Sequence, residues 1–355
     1  MMKFGCFFVG QRPQLHEQYA DERKVNPNPV RRTDVEVYED ILKGAVLAEE
    51  LGFDSVWVAE HAFSEHSIVS SPHSMLAAIA AKTERVNIGV ACTIVPWHSP
   101  LRMAQDLATL DIISKGRLIV GAGRGYQKRE FDIYGIDIAE SRDRFVEGMD
   151  IAIKAWTEER FAYDGQFFSF PEVMVIPKPV QKPHPPIWIG ANSDPGIRRA
   201  AQMGDCWYIN PHNRLDTTLR QIDVYRRALD EYGKPFPQEL PMRREVFVAP
   251  TRADAIRICK PFLEIKYKVY HQWGQDKAMP EGDNDLGMEF EELIRDRFLI
   301  GSPDEVSEQI LTLSQDIGVN HFIMSVQWPG MPQSLVLDTM HILAEEVLPK
   351  VRQGM

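Results

Sequence analysis

Eight times over, this chain alternates a short apolar run with an amphipathic stretch, and that rhythm restricts its fold more than any other feature. The apolar runs fall at residues 3–9, 55–59, 86–95, 118–121, 187–190, 206–209, 244–249 and 322–326. They are apolar nearly throughout, as parallel strands covered on both faces must be. Most are followed by a helix signal. Thr33 and Glu36 form a capping box ahead of the stripe Val37, Ile41, Ala45 and Ala48, and Gly52 marks the stop. Ser71-Pro72 and Ser99-Pro100 place a cap and a first-turn proline before the next two helices. Further helices are expected at 141–158, from Pro195, at 214–232 and at 252–272. One stretch breaks the rhythm: FAYDGQFFSF at 161–170 reads as a hairpin turning at Asp164-Gly165. Residues 273–288, WGQDKAMPEGDNDLGM, read as a polar, mobile segment before the eighth strand. Eight strand-helix units without a linker predict an α/β chain folded as one (β/α)8 barrel domain over 1–355 rather than a doubly wound sheet.

The 355 residues bury a sizeable core without disulfides. The formal charge of −11 argues against a nucleic-acid partner or an anionic membrane surface. No apolar run approaches a membrane span, and MMKFGCFFVG lacks a cleavage site, so it reads as a first strand. Cys6, Cys92, Cys206 and Cys259 are widely spaced and read as reduced thiols of a cytoplasmic protein.

In such a barrel the C-terminal strand ends converge on the active-site mouth. Glu60 and His61 stand at the end of the second strand, where Glu60 either orients His61 or, as alternation favours, turns toward a neighbouring strand. An imidazole there is suited to taking and returning a proton. The third strand brings Ala91 and Cys92, the fourth GAGRG and Arg124, the fifth Asn192 and Ser193. Short polar residues at a helix start leave N–H groups free for an anion, and Arg124 adds charge, although Asp194 could simply cap that helix. GAGRG lacks the spacing of a dinucleotide fingerprint; its glycines let a flat ligand approach. Glu60, His61, Glu65, His66 and His73 lack the spacing of a helical metal motif, so no metal is expected. His98, His184 and His212 read as surface or loop histidines, and Trp97 and Trp328 as aromatics of an apolar pocket.

Taken jointly and in order, GFDSVWVAEHAF, NIGVACTIVPWHSPLRMAQDLATLDIISKGRLIVGAGRG and PPIWIGANSDPGIRRAAQMG resemble the bacterial luciferase-like flavin-dependent monooxygenases over nearly the whole chain. The resemblance implies a TIM barrel that takes FMNH2 from a separate flavin reductase and activates O2 as a flavin C4a-hydroperoxide. One oxygen atom then goes to a small organic substrate, apolar or carbonyl-bearing. It implies His61 as the active-site histidine and a non-prolyl cis peptide at Ala91-Cys92 behind the flavin ring. Arg124, Asn192 and Ser193 become the phosphate-binding positions, and a homodimer would form through the helices after strands two and three. Relatives of this fold that use F420 for hydride transfer, or that bind flavin without catalysis, are the alternatives. Ala62, Gly123 and Gly196 stand where the luciferase catalytic subunit has a second histidine, a reactive cysteine and a phosphate-contacting threonine, which counts against light emission and long-chain aldehyde specificity.

Overall fold

Parallel strands pair side by side until the sheet returns to its own edge. The computed structural model describes residues 2–11, 32–64 and 66–354. Its strands are β1 (Lys3–Phe8), β2 (Ser55–Val58), β3 (Asn87–Val90), β4 (Thr93–Ile94), β5 (Leu118–Gly123), β6 (Phe161–Asp164), β7 (Ser169–Val173), β8 (Ile187–Gly190), β9 (Cys206–Tyr208), β10 (Pro241–Val248), β11 (Leu299–Gly301) and β12 (His321–Ser325). The helices are α1 (Asp34–Glu50), α2 (Pro72–Lys82), α3 (Pro100–Ile113), α4 (Lys128–Tyr134), α5 (Ser141–Thr157) and α6 (Asp194–Met203). They continue with α7 (Leu215–Glu231), α8 (Arg252–Gln272), α9 (Phe290–Leu293), α10 (Pro303–Ile317), α11 (Gln333–Ile342) and α12 (Leu348–Gln353).

Pairing runs β10-β12-β1-β2-β3-β5-β8-β9, and a bridge between Ile209 and Met242 carries β9 back to β10. The result is a closed (β/α)8 barrel. The short β11 pairs in parallel with Val246–Val248 at the end of β10, and β6 and β7 form the expected antiparallel hairpin before β8.

Strand alternation divides the side chains between two cores. Val56, Val58, Ile88 and Val90 face the helices, while Trp57, Trp188 and Tyr208 fill the barrel interior. The Trp57 and Trp188 rings stack at 5.0 Å, and Tyr208 lies 5.8 Å from Trp57. Such stacking contributes about 0.5–1.5 kcal/mol beyond burial. Gly89 makes it possible: a Cβ there would lie 2.3 Å from Cζ3 of Trp57. Beneath the tryptophans, Ser55 Oγ accepts from Trp57 Nε1 at 2.8 Å and meets His321 Nε2 at 2.7 Å. His321 Nδ1 in turn pairs with Glu239, which Lys3 Nζ reaches at 2.9 Å. This polar plug closes the end of the barrel opposite the strand C-termini.

The capping box at Thr33 and Glu36 forms with both of its hydrogen bonds. At Ser71 and Ser99 the proline sits in the first turn as expected, but neither serine side chain caps its helix. Strand three does not run unbroken from 86 to 95. It stops at Val90, resumes for Thr93–Ile94 against β5, and gives way to a 3-10 turn at Val95–Trp97. Helix α10, opened by a complete Ser302–Glu305 capping box, and helices α4 and α9 are elements that the reading of the sequence lacks. The four cysteines are free. No described helix is long and apolar enough to cross a membrane.

Candidate functional site

A cavity of about 370 Å³ opens at the C-terminal ends of the strands. His61, Ala91, Cys92, Arg124, Asn192 and Ser193, the residues singled out from the sequence, all line it. The Ala91–Cys92 peptide is cis. Burial pushes the Cys92 thiol up to about 12, so it is a neutral wall rather than a nucleophile.

Glu60 and His61 follow β2 and part company there. The Glu60 carboxylate accepts from the Ile94 N–H at 2.5 Å and meets His98 Nε2 at 2.9 Å, so it grips the chain just after the cis peptide. Burial disfavours charge on His98, but the hydrogen bond and charge of Glu60 override it and raise this imidazole above its ordinary value. His98 is therefore a partner of the site and not a plain surface histidine. His61 turns inward. Its Nδ1 lies 3.3 Å from Glu130 Oε1, an oxygen that also accepts from the Ala62 N–H at 2.8 Å. With its amide nitrogen turned toward the carboxylate, Gln127 adds donors at 3.0 and 2.6 Å. A carboxylate accepts, so Nδ1 is the donor in this contact and Nε2 is the ring nitrogen left for chemistry. Glu130 is a buried residue of α4, 69 positions from His61. No local pattern announced it.

Around the mouth from His61 lies a positive cradle. Helix α6 begins after Ser193, whose side chain makes no cap bond, and the first intrahelical acceptance is by Ser193 O from Ile197 N at 2.9 Å. The N–H groups of Asp194 and Gly196 therefore have no partner among the described residues. Asp194 does not cap the helix; Arg220 holds it at 2.7 and 3.0 Å and keeps its carboxyl below the usual range. Arg124 is joined by Arg142 and Arg199, which the sequence reading did not single out. Burial, then the charges of Arg124 and Arg142, lower the Arg199 guanidinium from its ordinary value. Only Arg142 has an acidic partner among the described residues, Asp143 at 2.6 Å. Converging cations at a free helix N-terminus form an anion site.

The glycines of GAGRG answer mainly to the protein itself. A Cβ on Gly121 would lie 1.9 Å from the Val90 carbonyl oxygen, and one on Gly123 would lie 2.9 Å from Cys92 Cβ. They let β3 and β5 approach where the strand bends. Trp97 and Trp328 do not line the cavity: Trp97 packs on Phe131 and Tyr134, while Trp328 is buried and donates to Glu245 at 2.6 Å. The aromatic lining is Phe7, Tyr126, Phe145, Tyr208 and Tyr270. His212, expected at the surface, is buried in the wall. Its Nδ1 meets the Tyr267 hydroxyl at 3.0 Å. Of the remaining metal-like group, Glu65 lies outside the described residues, His66 is buried against Tyr270 and Trp273, and His73 meets Thr93 Oγ1 at 3.3 Å. Residues 273–288 lie over the mouth, with Gln275 and Ala278 facing the cavity and Asn192 Nδ2 donating to Met279 Sδ at 3.6 Å.

Residues 2–321 match the profile of the luciferase-like monooxygenases. The flavin-dependent trigonelline monooxygenase oxygenase component of Acinetobacter baylyi is 25% identical, over 79% of this chain and 81% of that protein. The FMNH2-dependent dimethylsulfone monooxygenase of Pseudomonas putida is 28% identical, over 81% of this chain and 85% of that one. The crystal structure of monooxygenase RslO1 from Streptomyces bottropensis superposes with a TM-score of 0.82 at 29% identity, covering 98% of this chain and 99% of that one.

Proposed function

Because the chain belongs to the luciferase-like monooxygenase family, we propose that it is the oxygenase of a two-component system, binding FMNH2 made by a separate flavin reductase and oxygenating a small organic substrate. One observation carries this reading. A single cavity joins an anion cradle suited to the FMN phosphate to a histidine whose Nδ1 faces a carboxylate. The residues fit the cofactor. Arg124, Arg142, Arg199, Ser193 and the free N–H groups of α6 would hold the phosphate, and Ala91, Cys92 and Asn192 would flank the rest. Bound reduced flavin supplies the electrons that activate O2, one atom going to substrate and the other leaving as water.

The protein's own part is placement and proton handling. His61 Nε2 takes and returns a proton at the reacting centre while Glu130 holds the ring. Glu60 fixes the wall behind the ligand through Ile94, and residues 273–288 keep water out. FMNH2-dependence in a relative of similar length favours FMN over F420. We also expect a homodimer through α2 and α3.

The direct test supplies FMNH2 or F420H2, with oxygen, to a panel of ketones, aldehydes, terpenes, aromatic compounds and organic acids, and seeks oxygenated product by mass. Arg124→Ala should weaken FMNH2 binding by about 1.5–3 kcal/mol, the scale of a lost charged hydrogen bond, and leave riboflavin, which has no phosphate, much less affected. Equal losses for both flavins would make Arg124 a structural residue of the β5 turn.

A further inference from the structure

Two strands round from β8, the cavity wall carries a fourth arginine, apart from the three of the anion cradle. Arg243 on β10 donates its backbone N–H to Ile209 O at 3.0 Å, which sets it beside Tyr208 on β9. Arg243 is 9% exposed and Tyr208 4%, yet both line the cavity. Each carries an orphaned polar atom: Arg243 Nε and the Tyr208 hydroxyl have no hydrogen-bond partner among the described residues, although the guanidinium also reaches the Tyr270 hydroxyl. The guanidinium lies 4.3 Å over the Phe7 ring. The acid nearest along its own strand, Glu245, is engaged elsewhere, by Lys266 Nζ at 2.8 and 2.9 Å and by Trp328 Nε1 at 2.6 Å. Burial, and then the Arg243 and Lys266 charges, push His212 in the same wall well below its ordinary range, so it is neutral and brings no further cation. A buried guanidinium N–H without an acceptor is costly, and so is an orphaned phenol. Two such groups on adjacent strands, facing one cavity, are shaped for a ligand that brings the missing acceptor.

We infer that Arg243 and Tyr208 bind the anionic oxygen of an organic substrate, a carboxylate or an equivalent monoanion, so that the substrate is an acid and not a neutral hydrocarbon or ketone. That the bound acid is then oxygenated rests on the function proposed above; that it binds does not. The flavin phosphate is a poor occupant of this position, because Arg124, Arg142 and Arg199 already gather at the helix terminus on β5 and β8.

Titration calorimetry with benzoate and with benzamide, a neutral molecule of nearly the same shape, tests the inference on the purified chain. Benzoate should bind more tightly than benzamide by about 10- to 100-fold, the scale of a charge-assisted hydrogen bond. Arg243→Gln should erase that preference, and Tyr208→Phe, which deletes one hydroxyl, should reduce it even if the first variant folds poorly. Arg124→Ala should leave the benzoate preference in place while weakening inorganic phosphate. Arg243→Gln should keep FMN and riboflavin affinity within about threefold, as expected of an independent site. No saturable benzoate binding, a preference that survives Arg243→Gln, or one lost through Arg124→Ala would overturn the inference. So would an Arg243→Gln variant that loses both flavins equally, since Arg243 would then hold the flavin. A wild-type chain that prefers benzoate but binds no flavin would instead sink the oxygenase reading and leave this one standing.

Discussion

His61 depends on a residue that stands far from it in sequence. Glu130 holds its Nδ1 and the Ala62 N–H with the same oxygen, so ring orientation and local backbone are set together. His61→Ala should keep the fold and bind FMNH2 within a few-fold, while product formation falls by about 10²-fold or more, the usual worth of a positioned acid–base group. Glu130→Gln preserves shape but replaces the carboxylate with an amide that can present either end to the ring. It should lower kcat by about 10-fold with KM nearly unchanged, the pattern of a positioning residue. Normal turnover in His61→Ala would reduce this histidine to a pocket wall.

At the scale of elements, the segment 273–288 is seated by its own buried charge. Asp283 pairs with Arg297 at 2.9 Å, both side chains fully buried, and accepts from the Arg214 N–H at the start of α7 at 3.2 Å. Excising 276–286 would therefore do two things at once, uncovering the cavity and stranding a buried guanidinium. Asp283→Ala alone should cost about 3–5 kcal/mol in denaturant unfolding, as breaking a buried pair does. Replacing residues 275–279 with glycine and serine, with Asp283 kept, isolates the covering role. Flavin affinity should then hold while oxygen consumption yields more peroxide and less product. Unchanged coupling in that variant would count against a lid.

For the molecule as a whole, the end of the barrel away from the site is tied by Glu239, which reaches Lys3 on β1 and His321 on β12. Burial works against the charged carboxylate, but His321 and Lys3 together outweigh it and lower its pKa from 4.5 to about 2. A depressed folded pKa contributes stability that is fully present above 4.5 and lost as pH falls toward 2. Glu239→Gln should thus cost about 2 kcal/mol at neutral pH, with allowance for partial exposure, and the gap to wild type should close through that acid window. Urea unfolding at a series of pH values measures it, and a gap that persists at pH 2 would point to packing instead. On the outer surface, α2 leaves Ala77 and Ala78 half-buried, and α3 ends in the exposed Ile112 and Ile113. Light scattering at micromolar concentration should find a dimer; a monomer would refute the pairing expected of these helices.

The order of strands and helices, the barrel, and the standing of His61, Arg124 and Ser193 at strand ends were all legible in the sequence. Periodicity, capping residues and turn residues act over a few positions, so a short window contains their cause. Helix α10 is marked in the sequence as well, by the capping box of Ser302 and Glu305. The partners of the site were decided elsewhere. Glu130 meets His61, Arg142 and Arg199 join Arg124, and Arg243 comes to lie beside Tyr208 only because the sheet closes and its loops fold back over one mouth. The same closure buries His212 and keeps Trp97 and Trp328 out of the cavity. Which side chains share a barrel's interior depends on the register between strands distant in sequence, and register is fixed by packing across the whole barrel, which no local window contains.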